Sequence, residues 1–315
     1  MPADHSIFES QKSRATICAT VERVTGLDSR QTEETLAVEE PLEIQLEHGP
    51  AGSRRIKSIS VTMRTPGNDF ELAAGFLMTE GVVRDSNDID EIVFAADGEL
   101  RTTKQPSGDS QVLLRQPEKN IVRVQLAPGV EVSLASLERN FYMTSSCGIC
   151  GKASLLALQT VCPPRTKNTF SIEAALLSSL PSRLRHSQNV FNRTGGLHAA
   201  ALFDAKGELL ALREDVGRHN AVDKLLGAEF LADRTPLRNS VLLLSGRASF
   251  ELLQKALMGG VPMVAAVGAP SSLAVQVARE FDITLVGFLR DDHFNIYHGG
   301  NRIQKTMSGG EDLRK

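Results

Sequence analysis

Tryptophan is absent, tyrosine occurs twice, and aromatic residues make up 5% of the chain. Single-stranded nucleic acids are held largely by stacking on aromatic rings, so this scarcity argues against that ligand class. Charge of neither sign is in excess: 35 Lys and Arg face 38 Asp and Glu, for a net −3. That balance argues against a general binder of nucleic acid or of a membrane surface, while leaving room for a local basic pocket. No apolar run approaches the roughly 20 residues of a membrane span. The start, Met1-Pro2-Ala3-Asp4-His5-Ser6, lacks the basic and then apolar pattern of a secretory signal, so a cytoplasmic location is expected. Four cysteines in 315 residues are too few for a disulfide framework. Neither a Walker sequence nor G-x-G-x-x-G occurs, and there is no internal repeat or low-complexity segment.

What is present suits a globular chain with a sizeable core, 41% hydrophobic and 23% charged. Residues 1–35 are polar and read as a loosely held, irregular arm. An N-terminal α+β part over 36–143 opens with a hairpin. Its first strand runs from Pro41 to Glu47 and its second carries Ile56, Ile59, Val61 and Met63, with Gly49-Pro50-Ala51-Gly52 between them. Asp69 is placed to cap a helix with Phe70, Ala73, Ala74 and Leu77 on its apolar face, closed by Gly81. Short strands are expected at 92–95, 112–114 and 121–126, a loop at 102–110, and a helix at 133–139. Residues 144–152 form a pliable loop that leads into a helix at 153–161. Ser171 is read as the cap of a helix over 172–180, and Leu197–Phe203 with Leu209–Leu212 as a hairpin. The stretch 153–304 reads as an α/β core and 305–315 as a tail. In the core, Val241–Leu244, Val261–Val267 and Ile283–Phe288 are apolar runs separated by helical patterns, which implies parallel strands covered by helices.

The loop at 144–152 holds Cys147-Gly148-Ile149-Cys150. Zinc wants four ligands, usually two such pairs or a pair with histidines at finger spacing, and neither accompanies it. A zinc deaminase requires His-x-Glu ahead of Pro-Cys-x-x-Cys, and His198 is followed by Ala199-Ala200 in the reverse order. A thioredoxin-like redox pair follows an early strand, whereas this pair sits mid-chain. Sulfur relay needs a thiolate on a loop that reaches donor and acceptor. Lys152 and the following helix start would lower the thiol pKa from about 8.5. Cys18 and Cys162 stand in apolar surroundings and read as small hydrophobes.

Three constellations could serve a ligand. In a parallel sheet, ligands bind beyond the carboxyl ends of the strands. Those ends read Ser245-Gly246-Arg247, Gly268-Ala269-Pro270-Ser271-Ser272 and Phe288-Leu289-Arg290-Asp291-Asp292-His293. On adjacent strands they would form one rim, with Arg247 and Arg290 aimed at an anion. The second is Glu214-Asp215-Val216-Gly217-Arg218-His219-Asn220, where a helix N-terminus favours anions and Asp215 is placed to orient Arg218 or His219. The third is the double glycine of Thr194-Gly195-Gly196-Leu197-His198, in which His198 alone reads as a core or turn histidine.

Taken together, these residues closely resemble the formate dehydrogenase accessory sulfurtransferases, also called sulfur carrier proteins. The matching pieces run in order over about residues 39 to 303. They include Met63-Arg64-Thr65-Pro66-Gly67, Ser145-Ser146-Cys147-Gly148-Ile149-Cys150-Gly151, Thr194-Gly195-Gly196-Leu197-His198 and Gly287-Phe288-Leu289-Arg290. The long run from Glu214 to Lys224 is the most specific of them. The resemblance implies a cytidine-deaminase-like α/β core without catalytic zinc, usually as a homodimer. It implies sulfur accepted from a cysteine desulfurase as a persulfide on Cys147, with Cys150 assisting or resolving. The sulfur is delivered to the molybdenum or tungsten bis(molybdopterin guanine dinucleotide) cofactor before insertion into the formate dehydrogenase catalytic subunit. Phe288, Leu289, Arg290, Asp291, Asp292 and His293 match the segment at the guanine dinucleotide. Gly195, Gly196, Arg218, His219, Asn220, Ser245, Gly246 and Arg247 complete the expected cofactor contacts. The alternative is a chaperone that binds the cofactor without carrying sulfur.

Overall fold

A computed structural model describes residues 15–95, 119–132, 158, 162 and 168–305. Its first segment corrects the irregular arm expected over 1–35 for residues 15–35, while residues 1–14 lie outside the described residues. β1 (Thr16–Thr25) and β2 (Asp28–Ala37) pair antiparallel, from Thr16 opposite Ala37 to Thr25 opposite Asp28. Ile17, Thr20, Val21, Val24 and Thr32 are β-branched and favour extended backbone, and Gly26, at φ 64, takes the left-handed turn. Polarity concealed the strands because the hairpin is largely exposed on both faces.

β3 (Glu40–His48), β4 (Arg55–Arg64), β5 (Ile89–Phe94) and β6 (Ile121–Leu126) form a sheet in the order β4-β3-β6-β5. The expected hairpin is β3 with β4, although Ile56, Val61 and Met63 are exposed and only Ile59 is buried. Leu42, Ile44 and Leu46 alternate onto a buried face with Val122, Val124 and Leu126. Helix α1 (Asp69–Thr79) follows β4. Asn68, at φ 59, occupies the cap position assigned above to Asp69. The Asp69 carboxylate instead accepts from Arg64 Nε at 2.9 Å, because Arg64 is 1% exposed and a buried cation demands a partner.

The larger sheet contains β8 (His198–Phe203), β9 (Leu209–Asp215), β10 (Val241–Leu244), β11 (Met263–Ala266), β12 (Thr284–Gly287) and β13 (Asn295–His298). Their order is β13-β12-β11-β10-β8-β9. The parallel core expected from the apolar runs is β10-β11-β12, flanked by antiparallel neighbours. The helices are α2 (Ala174–Ser187), α3 (Asn189–Thr194), α4 (Arg218–Leu231), α5 (Phe250–Met258) and α6 (Ser272–Glu280). The helix expected over 172–180 is displaced to become α2. Ile172–Glu173 is drawn into a short strand, β7, paired with β14 (Ile303–Gln304), and the helix then runs on through Pro181. The expected strand at 112–114, the loops at 102–110 and 144–152, and the helix at 133–139 lie outside the described residues. Of the expected helix at 153–161 only Leu158 is described, helical and buried.

Both faces of the larger sheet are buried. Leu242, Leu244, Val264 and Leu285 join the helices α4, α5 and α6, while Val241, Leu243, Met263 and Val286 face α2. The first of these cores continues through α1 into the smaller sheet, so the parts expected at 36–143 and 153–304 share one core. Glycines make this possible. A β-carbon on Gly75 of α1 would lie 1.9 Å from the Asp223 carbonyl oxygen, and one on Gly227 of α4 would lie 1.9 Å from that of Glu71. The two helices thus cross backbone to backbone, which only glycine permits. Beside the crossing, buried Lys255 of α5 reaches Asp223 at 2.9 Å and Thr79 at 3.0 Å, tying three helices together.

Candidate functional site

The strand order brings the three sequence constellations to one rim. Parallel pairing sets the ends of β10, β11 and β12 side by side, and their loops hydrogen-bond in succession. Gly268 N donates to Gly246 O at 2.9 Å, and Phe288 N donates to Gly268 O at 3.1 Å. A β-carbon on Gly268 would press on Arg247 and on the Gly246 carbonyl. β8 starts, and β9 ends, at the same rim, with His198 opposite Asp215. Ser245 N donates to Ala199 O, and the Ser245 hydroxyl accepts from Ala199 N at 2.8 Å.

Several assigned residues serve the frame rather than the rim surface. Asp215 is fully buried and accepts from Thr65 N, Gly217 N, Asn220 Nδ2 and, at 2.7 Å, Lys224 Nζ. It therefore fixes the start of α4 instead of orienting Arg218 or His219. Asn220 is buried, bound to Met63 O, Asp215 and Thr62. Leu289 is buried in the core facing α2. Arg290 folds back, donating to Val267 O at 2.6 Å and to Leu289 O at 2.9 Å. Arg247 and Arg290 are both exposed, and the latter has one guanidinium nitrogen held by those carbonyls. Asp291 accepts from Ser182 at 2.8 Å, while Asp292 pairs with His293 on an exposed turn. Phe288 is 40% exposed at φ 53, a left-handed conformation uncommon for a bulky residue.

Arg218 and His219 open α4 behind its cap, Gly217. Arg218 Nε and His219 Nε2 are buried and find no hydrogen-bond partner among the described residues. Burial, then the Arg218 charge, then Lys255 push the His219 pKa down to about 4, against the pull of Glu251. Burial and Arg218 also lower His198, against Asp215. Both imidazoles are therefore neutral near pH 7 and the positive charge at this spot is that of Arg218. Unpaired buried donors beside a guanidinium suit an anionic ligand.

A cavity of ≈ 510 Å³ opens beside these groups, lined in part by Gly195, Gly196, His198 and Ser245. His198, read from sequence as a core or turn histidine, faces this space. Sequence reasoning missed two further residues in its wall, Arg185 and Gln188. Neither belongs to a motif, since both are set there by the junction of α2 and α3. A second cavity of ≈ 530 Å³ lies beyond Leu197. Most of its charged groups are committed to the frame: Arg213 grips Glu71, Glu214 accepts from the first amides of α3, and Lys224 binds Asp215, while exposed Arg193 donates to the Thr16 hydroxyl.

Cys147 and Cys150 lie outside the described residues. Cys18 is exposed on β1, and Cys162 packs half-buried against the larger core. Among the described residues no group of three His, Cys, Asp or Glu is placed to hold a metal. No helix among them is long and apolar enough to cross a membrane.

The model of the FdhD/NarQ family matches residues 37–304. A protein of Streptomyces coelicolor named sulfur carrier protein FdhD is 50% identical over 280 residues, 88% of this chain and 92% of its own. One of the same name from Streptomyces avermitilis is 52% identical over 272 residues, 86% and 89% of the two chains. Another, from Mycobacterium tuberculosis, is 51% identical over 271 residues, 86% and 92%. A crystal structure described as a formate dehydrogenase accessory protein of Desulfotalea psychrophila superposes with a TM-score of 0.64 at 22% identity. It covers 92% of this chain and 100% of that one, and establishes the shared fold.

Proposed function

The chain belongs to the FdhD/NarQ family, and from that premise we propose that it is a sulfur carrier for formate dehydrogenase maturation. One observation carries the reading. A chain about half identical to proteins named sulfur carriers presents, on one rim, buried donors that find no acceptor among the described residues. The larger sheet is read as cytidine-deaminase-like, working as a homodimer in the cytoplasm.

In the first step the Cys147 thiolate attacks the terminal sulfur of a persulfide on a cysteine desulfurase. The donor's cysteine leaves as thiolate and the terminal sulfur stays on Cys147. In the second step Cys150 attacks Cys147 Sγ. The bond to the terminal sulfur breaks, and hydrosulfide leaves with the electron pair towards the metal of the acceptor. A Cys147–Cys150 disulfide remains for a cellular thiol to reduce.

The acceptor substrate is the molybdenum or tungsten bis(molybdopterin guanine dinucleotide) cofactor. Arg218, His219 and Arg247 offer donors to its phosphates, and Gly195, Gly196, Ser245 and Gly246 allow close approach of the backbone. The 288–293 turn lies on the same rim, with Phe288 N bonded to Gly268 O. Asn220 and Leu289 act from behind, by holding α4 and the turn in place.

The test is rescue of formate dehydrogenase activity in cells lacking this protein. The wild-type chain restores it and Cys147→Ala does not. Full rescue by a Cys147→Ala, Cys150→Ala chain would replace sulfur transfer with the chaperone reading.

A further inference from the structure

We propose that Gln188 is a specificity residue, whose amide donates to a ring carbonyl of a planar heterocycle held in the ≈ 510 Å³ cavity under the Gly195-Gly196 loop. The inference rests on the sulfur-carrier reading, which supplies an acceptor with such a carbonyl at both ends, on guanine and on pterin.

Gln188 is 4% exposed, lines the cavity, and its Nε2 has no hydrogen-bond partner among the described residues. Buried amides are almost always paired, and this one lines the cavity without an acceptor among the described residues, so a ligand in the cavity would complete it. Its position is rigid. Gln188 is at once the C-cap of α2 and the N-cap of α3, and its carbonyl accepts from Asn192 N at 3.0 Å.

The rest of the wall agrees in sign. The Ser245 hydroxyl already accepts from Ala199 N, which leaves its own proton to donate. Arg185 lies 4.1 Å over the Phe191 ring, and both residues line the cavity. Among the described residues no carboxylate lines the cavity, while Leu184, Val216 and Val267 give it apolar walls. A donor-rich, apolar-walled slot of this size, within the roughly 300–1,000 Å³ of small-molecule sites, fits a flat ring bearing acceptors.

The cavity also meets the rim. The Val267 carbonyl holds Arg290, and Ser182 of α2 holds Asp291. A ring in the slot therefore has its phosphates beside the 288–293 turn. Adenine would set its amino group against the Gln188 amide, donor to donor.

Calorimetry on the full chain tests this with GMP, AMP and 6-carboxypterin as probes. GMP or carboxypterin should bind about tenfold more tightly than AMP, the worth of one hydrogen bond. Gln188→Leu should erase that preference and leave pyrophosphate binding unchanged. Gln188→Met, close in volume, serves if the Leu variant fails to fold. Dependence of GMP binding on Gln188 places the guanine end in the slot, and dependence of carboxypterin binding places the pterin end there. An undiminished preference in both variants overturns the proposal while sulfur transfer, read by cell rescue, stands. AMP binding as tightly as both other probes in the wild-type chain overturns it equally.

Discussion

Gly227→Ala asks whether the backbone crossing of α1 and α4 is what joins the two sheets. Two effects oppose each other. In a helix interior, alanine is favoured over glycine by roughly 1 kcal/mol through propensity alone. The new β-carbon, however, would stand 1.9 Å from the Glu71 carbonyl oxygen and 2.6 Å from Gly75 N. These are main-chain atoms, so no side chain can swing aside and the helices must part. Overpacking costs about 1–3 kcal/mol when side chains can yield, and more when backbone must move. Separation would also stretch the Lys255–Asp223 contact, since Asp223 lies one turn before Gly227 on α4. We expect a net loss of about 2 kcal/mol or more. Urea unfolding followed by far-ultraviolet circular dichroism measures it as a lower midpoint. A midpoint equal to or above that of the wild type would refute the reasoning, because propensity would then have won and the crossing could not be tight.

Lys255→Met should destabilise by about 3–5 kcal/mol, because it strands the buried Asp223 carboxylate, and Lys255→Met with Asp223→Leu should recover most of that loss in the same assay. His219 should titrate near about 4 by proton NMR of its ring, since burial, Arg218 and Lys255 hold it down. An unfolded histidine takes its proton near 6.5. His219 therefore contributes stability fully above pH 6.5 and loses it as pH falls towards 4. A His219→Gln chain should show a flatter stability profile over that window, and a ring midpoint near 6.5 would contradict the assigned burial.

The parallel core was the most legible part of the fold. Val241–Leu244 follows the apolar pattern at both ends, because elements buried on both faces announce themselves in composition. The β1–β2 hairpin did not, since it buries little and its β-branched residues are interspersed with charge. Asp69 misled for a different reason. Its position suits a cap, but a cation buried five residues earlier takes the carboxylate. At the site, the motif glycines and the Arg218-His219 pair were readable because helix starts and tight turns constrain residue type. Gln188 was not, because what singles it out is burial without a partner among the described residues, which is a fact of three dimensions. Asp215 shows the same limit in reverse, since its position in the motif suggests chemistry while its four donors assign it to the frame.

Sulfur transfer in this reading rests on a persulfide at Cys147. Intact mass spectrometry of the chain after incubation with a cysteine desulfurase and cysteine tests it most directly. The wild-type chain should gain one sulfur atom, removed by a thiol reductant and missing from Cys147→Ala. The same gain on Cys147→Ala would contradict it.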